Sequence, residues 1–450
     1  MRIAALTAAT LAVAIFATAC SDGSTGSGKI VGTATSTLGS LVYVSGGDLF
    51  NVTLPDGSPE RITSDGRSRA PRFSPTREWI AYYQGDADLW VTKSDGTSSR
   101  DLGDAQSFEW SPSDDRLGIL AASSDGRSGL RIAAADGSSD SVLVPDAGDA
   151  NSRVGSFRWS PDGRIIAYAS VVENADSVGN VQSRVASLRS VSADGGASRE
   201  LVTAGDPSEF GFLIAGWSGD GSQILTWTTP HFTADLADGS PVYSVPANGG
   251  ALIAMSDAAL PYDDFIVPAK GRDAVAVVIG QGREAWTKKA LALYSATGAK
   301  PRVVTQPDVA VSSPSWSADA SKIAYVSMPD RGGLDRDDAT RAALNERRIE
   351  ILGNDGANPT QLTTDQGYRD ESPLWSLDGK TILFLRVGGD GGVSVWTISD
   401  TGKDERQLVT NLGLGTSAST ASEYFGHRDW GELFDWSGGV CVGHGRATSR

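Results

Sequence analysis

Three short runs gather the side chains best suited to recognising a ligand: Tyr262-Asp263-Asp264, Tyr368-Arg369-Asp370-Glu371, and the stretch holding Tyr424, His427, Arg428 and Asp429. Each combines a flat ring with charges of both signs, the chemistry of stacking and hydrogen bonding that holds a peptide or a sugar. Arg67, Arg69, Arg153 and Glu209 are further candidates of the same kind. Groups for covalent or metal chemistry are scarce by comparison. His231, His427 and His444 are the only histidines and lie far apart, which argues against a multi-histidine metal site. Two cysteines, Cys20 and Cys441, cannot make a disulfide scaffold or a structural zinc cluster, and Cys441 reads as a partly buried free thiol. No nucleophile and base pair is visible, so we assign no catalytic residue, no metal and no cofactor.

Two apparent motifs lose their force on inspection. Gly23 to Lys29 matches half of a phosphate loop, but Ile30 stands where Ser or Thr must hold magnesium. Asp330, Asp335, Asp337 and Asp338 lack the regular spacing, central glycine and distant glutamate of a calcium loop, and read as a solvated loop with an N-cap to a helix over Ala339 to Arg347. Charge narrows the partners. Lys plus Arg total 39 against 55 Asp plus Glu, a net charge of −16, which leaves little basic surface for a phosphate backbone. Nucleic acid is therefore not expected.

The chain opens on one arginine and an apolar run from Ile3 to Ala19 that ends at Cys20, a pattern of export rather than of a membrane span. Ala17-Thr18-Ala19-Cys20 resembles the bacterial lipobox, with Ala17 in place of the usual Leu. That resemblance implies a signal peptide over 1–19 and an acylated Cys20, with enough acyl chain for stable anchoring. Residues 20–40, rich in Gly, Ser and Thr, follow as a flexible tether.

What must position the candidate residues is a repeat. An aromatic residue, Ser and a turn, followed by a β-branched and aromatic run, recur at Phe73, Trp110, Trp159, Trp217, Trp316, Trp375 and Trp436, with a decayed copy at Val267-Pro268-Ala269-Lys270-Gly271. The period is about fifty residues with insertions. Within a unit come a run such as Ile165 to Ala169, a second such as Asp88 to Thr92, an Asp-Gly turn such as Asp95-Gly96, and a short segment such as Arg406-Gln407-Leu408. Asp-Gly between alternating runs is a strong hairpin signal, because Gly supplies positive φ and Asp bonds its own backbone. Each unit is thus a four-stranded antiparallel sheet that cannot bury both faces alone, and a ring of such sheets can.

The pattern from Trp159 to Tyr168, echoed from Trp316 to Tyr325, resembles the repeat of TolB-type, or WD40-like, propellers and of the propeller in prolyl-oligopeptidase relatives. The resemblance covers residues 41 to 437 and implies an all-β propeller; the TolB N-terminal α/β domain has no counterpart in the tether. The peptidase relatives imply a hydrolase domain after the propeller, which is not expected with only 14 residues following Trp436. Some polysaccharide lyases use similar propellers with clustered histidines, and a lyase acting on an envelope or extracellular glycan is the alternative activity.

The N-terminal unit lacks an inner strand and the last mark has little after it, so Leu433 to Trp436 is expected to complete the first blade and close the ring. This gives eight blades, or seven if the Val267 copy is a loop. A tail over 438–450 follows. Tight turns fall on one side of the ring, and the long insertions, among them Pro329 to Arg347 and Leu412 to Gly431, on the other. Long loops beyond what closure needs mark the binding face. Arg69, Arg153, Glu209, Tyr262, Asp263, Tyr368, Arg369, Asp370, Glu371, Tyr424, His427 and Arg428 are expected there, at the mouth of the central channel. The whole reads as a lipid-anchored protein of the cell envelope, facing the periplasm or exterior, with a monomeric body that binds an envelope protein, peptide or glycan without catalysis.

Overall fold

The computed structural model describes residues 38–439 except 122–128, 145–151, 176–180, 205–210, 230–237, 299, 335–337 and 415–424. These belong to a compact unit over Thr35–Arg450; the leading unit Met1–Ala34 lies outside the described residues, and with it Cys20, the lipobox-like run and the Gly23–Lys29 motif. Glu209, His231, Asp335, Asp337, Tyr424, Cys441 and His444 also lie outside them.

Each repeat becomes an antiparallel sheet in sequence order. The fourth set shows the pattern: Ser152–Trp159 innermost, then Ile165–Ala175, Val181–Ser192 and Arg199–Thr203. Arg100–Trp110 serves two neighbouring sets, pairing through Arg100 to Asp104 with Asp88–Lys93 and through Ala105 to Trp110 with Arg116–Ala121. Counted in both, the described strands make eight four-stranded sets. The decayed copy is one of their inner strands, Ile266–Pro268, paired with Ala274–Ile279. The first set, Ser40–Ser45, Asp48–Thr53 and Glu60–Arg61, receives Phe434–Trp436 as its fourth strand in the register Leu41↔Trp436, Val42↔Asp435 and Tyr43↔Phe434. Closure by the two ends of the chain is therefore present, as expected.

The core lies between sets. Second strands such as Thr381–Gly388 are buried on both faces, whereas outer strands such as Glu60–Arg61 and Thr360–Gln361 are exposed. Apolar clusters join every successive pair, and one closes the circle by packing Leu383, Leu385 and Val395 of the eighth set against Leu41, Val42 and Val44 of the first. The repeated tryptophans staple neighbours together. Trp110, Trp159, Trp217 and Trp316 donate Nε1–H to the carbonyls of Arg72, Glu109, Arg158 and Val267, each on the preceding inner strand. A buried indole N–H needs such a partner, and each bond adds about 0.5–1.5 kcal/mol.

The repeated Ser and Asp saturate the turn that follows. Ser160 Oγ donates to Asp162 Oδ1 at 2.6 Å, that carboxylate accepts the Arg164 amide, and the Ile165 amide donates back to Ser160 Oγ. The arrangement recurs around Asp220, Asp319 and Asp378. Hydrogen bonds from Ser317 and then from the Ser321 amide hold Asp319 below the usual carboxylate range. Gly163 adopts φ 71°, the left-handed backbone that the turn needs and that a side chain would strain.

Candidate functional site

Six inner strands carry a β-bulge near their middle, marked by register shifts at Arg69/Arg72, Ala105/Ser107, Val154/Ser156, Ile214/Gly216, Ser312/Ser315 and Glu371/Leu374. A bulge re-aims the side chains that follow it. The residue just before the aromatic mark is charged in four sets: Arg72, Glu109, Arg158 and Asp435. Arg72, Glu109 and Arg158 come near a fifth group, Asp263, at the entry to the sixth set. Arg158 Nη2 reaches Asp263 Oδ1 at 2.8 Å, skipping the intervening set, and Asp435 Oδ2 accepts the Phe73 amide at 2.8 Å.

Burial and mutual repulsion make these carboxyls hard to ionise. Glu109 is pushed up to about 7, mainly by burial and also by Asp263, against the opposing pull of Arg158 and the Trp159 amide. Asp263 rises to about 6 by burial, against the pull of Arg158, with smaller repulsion from Asp429 and Asp264 and a smaller pull from Arg72. The Asp263 side chain is nonetheless 25% exposed while its arginine is 4% exposed, so the carboxylate keeps one side toward solvent and the guanidinium does not.

Over this cluster runs the end of the closing connection. Phe425 O accepts the Ala285 amide at 2.9 Å, and Gly426 O accepts Arg347 Nη2 at 2.6 Å. The His427 ring stacks on Tyr262 at 3.7 Å and 5°, meets Phe265 edge-on, and places Nε2 2.8 Å from Asp264 Oδ1. Ser313 Oγ donates to the other Asp264 oxygen, and Arg72 Nη1 donates to Gly431 O at 2.6 Å. Burial, with Asp264 beside it, pushes the Tyr262 hydroxyl up to about 12.

Of the residues expected at the mouth, Tyr262, Asp263 and His427 meet here. Arg428 stands over the Trp430 ring at 4.6 Å. Arg69 lies over Tyr83, donates to the carbonyls of Gly85 and Asp86, and comes within 3.9 Å of Glu432. Arg153 is half-buried on the fourth inner strand. The Tyr368–Glu371 run divides. Tyr368 is 45% exposed, and Arg369 approaches Glu371 at 3.3 Å. Asp370 and Glu371 are buried: Arg386 grips Asp370 at 2.7 and 3.1 Å, and Arg347 holds Glu371 at 2.8 Å. Both carboxylates are thus saturated by the wall of the ring.

Sequence reasoning missed Arg72, Glu109, Arg158, Arg347 and Arg386. For the first three the signal was a charge next to a buried aromatic mark. The only α-helix in the described residues runs over Asp338–Leu344, shorter than Ala339 to Arg347, because the next three amides bond back three residues instead of four. Asp330 is taken up by Thr287, the Lys288 amide and the Gly332 amide. Among the described residues no group of three or more His, Cys, Asp or Glu could hold a metal ion.

No protein-family profile matches the chain. Two curated proteins are similar over one repeat-sized window: the Tol-Pal system protein TolB of Rhizorhabdus wittichii, 37% identical over 65 residues, and the Tol-Pal system protein TolB 1 of Novosphingobium aromaticivorans, 39% over 64 residues. Each match spans 14% of this chain and 14% of the relative's length. Among solved structures, dipeptidyl peptidase 4 of Porphyromonas gingivalis superposes with a TM-score of 0.55 at 12% identity, over 83% of this chain and 59% of that one. At that identity the likeness is one of fold. The chain is an all-β propeller protein that resembles TolB-type propellers. No helix among the described residues is long and apolar enough to cross a membrane.

Proposed function

We propose that this is a non-catalytic cell-envelope lipoprotein, anchored through an acylated Cys20, whose eight-bladed propeller binds a protein, peptide or glycan on its long-loop face. The observation that carries this reading is an open cleft of about 450 Å³ on the seventh set and the connection that leaves it, lined by Asn345, Glu346, Arg348, Gln361, Thr364 and Gln366. It lies beside the exposed Tyr368. The side-chain amides of Asn345 and Gln366 and the Thr364 hydroxyl around one concavity, beside the Arg331–Glu346 ion pair, suit peptide groups or hydroxyls, and the Tyr368 ring offers a stacking surface. The Tol-Pal names of the partial relatives fit an envelope setting.

The raised carboxyls of the axis do not turn this into an enzyme. Structural ion-pair networks perturb carboxyls as active sites do. Asp263 is engaged by Arg158, and Glu109 Oε2 accepts the Trp159 amide. The test is fractionation followed by capture. Cys20→Ser should move the protein out of the membrane fraction, and the intact protein in detergent should retain a discrete envelope component. Equal membrane retention of the variant contradicts the anchor, and capture of no component above background contradicts the binding role.

A further inference from the structure

Apart from the continuous strand Arg100–Trp110, the connection from an outer strand to the next inner strand takes five to seven residues elsewhere in the ring: six from Arg61 to Ser68, five from Val303 to Val309, seven from Thr203 to Gly211. Between Leu412 and Phe434 it takes 21. Ring closure explains about a third of that length. The surplus does not simply bulge outward, because its last part crosses to the sixth and seventh sets before returning to the first.

The contacts there have the form of peptide recognition. Main-chain carbonyls are read at three points, by the Ala285 amide, Arg347 and Arg72. One side chain enters a slot: His427 lies between Tyr262 and Phe265 with its Nε2 on Asp264. One position admits only glycine. Gly426 has φ 77°, and a Cβ there would stand 2.6 Å from Trp286 and 3.3 Å from Leu344, both buried. Backbone bonds supply affinity in such complexes and side-chain slots supply specificity. Trp286, Leu344 and Arg347 sit in the long insertions of the sixth and seventh sets, so those insertions have a shared purpose in holding this segment.

We propose that the long-loop mouth of the axis is a peptide-binding site occupied in cis by Phe425–Gly431, and that a partner peptide presenting an aromatic-Gly-His sequence displaces that segment. The inference rests on the reading that this face binds a partner, and it narrows the partner at the axis to a peptide. Because six residues suffice to join other sets, the segment can leave without drawing Phe434–Trp436 out of the first sheet.

The probe is a labelled synthetic peptide of the sequence from Phe425 to Gly431, titrated into the full-length protein and into the double variant Gly426→Ala with His427→Ala. The variant weakens the cis occupant and leaves the receiving residues intact. It should bind the peptide at least about tenfold more tightly than the parent, and the same peptide with Ala for His should lose about tenfold. Equal binding by parent and variant, or no binding by a folded variant, overturns the proposal. So does a variant that fails to fold, since the segment is then a strut.

Hydrogen exchange on the unaltered protein gives an independent check. Amides from Phe425 to Gly431 should open well before those of Ile166 and Ala167; exchange of both only by global unfolding overturns the proposal. If the peptide fails to bind while envelope capture persists, this inference falls alone. Loss of envelope capture with the peptide still bound strikes the broader reading instead.

Discussion

The tight-turn face and the long-loop face are built from the same repeat and obey different rules. On the first, Ser160 and Asp162, Ser218 and Asp220, Ser317 and Asp319, and Ser376 and Asp378 repeat one local hydrogen-bond pattern, with partners two residues apart. Toward the second, a threonine after the outer strand still repeats its bond to the third strand at Thr63, Thr305 and Thr363, but the contacts that cross the axis do not recur. Arg158 finds Asp263 across 105 residues, His427 finds Asp264 across 163, and Arg72 finds Gly431 across 359. Residues that recur in every unit serve the fold, so the residues that break the recurrence are where an individual function can reside.

The comparison breaks most severely at the seam, where repeat and non-repeat meet. Deleting Gly431 onward removes the inner strand of the first set together with buried Leu433, Phe434 and Trp436. The expected loss is more than about 3 kcal/mol, of the order of a large core truncation. A truncated protein melting within a degree or two of the parent would mean that the seam does not close the ring.

Next in size is the buried arginine of the eighth set. Asp370→Ala leaves Arg386, 3% exposed, without its bidentate partner, and should cost about 3–5 kcal/mol. Asp365 and Glu405, at 2.9 and 2.6 Å, place the cost at the lower end of that range. Adding Arg386→Met should recover much of the stability. Chemical denaturation of the single and double variants checks this, and a thermally silent Asp370→Ala would return that carboxylate to the ligand-binding rim.

A smaller effect comes from the axis. Glu109 and Asp263 carry raised pKa values in the folded protein, so the folded state holds protons that the unfolded state releases between roughly pH 4 and pH 7. Their contribution is fully present below the unfolded values and is lost as pH rises through about 6 and then about 7. Glu109→Gln should therefore stabilise the protein above pH 7 by about 1–2 kcal/mol and flatten the stability profile below it. Denaturation midpoints from pH 5 to pH 8 decide the matter; an unchanged slope would place Glu109 in open water.

The sheets were legible in the sequence because their determinants are local. Alternation sets the strands, Asp-Gly sets the turns, and the aromatic mark sets the period. Even the decayed copy at Val267 kept enough of the pattern to form Ile266–Pro268. The candidate site was legible in part. Tyr262, Asp263 and His427 could be placed at the mouth from loop lengths, but which carboxylates an arginine would saturate could not, because Arg386 and Asp370 lie on different strands whose facing positions depend on a bulge. The path of residues 425–431 was hidden for a similar reason. Only the excess length of that connection pointed to it.

The most direct test of the central claim sets the two faces against each other in one capture experiment. Gln366→Ala with Tyr368→Ala alters the exposed rim of the cleft; Asp95→Ala, Asp136→Ala and Asp194→Ala together alter tight turns, where Asp95 and Asp136 bond the backbone at 2.9 and 2.8 Å. The rim pair should abolish capture of the envelope component at an unchanged melting temperature, and the turn set should lower the melting temperature and spare capture in the folded fraction. Capture that survives the rim pair and disappears with the turn set, in protein shown to be folded, contradicts the assignment of function to the long-loop face.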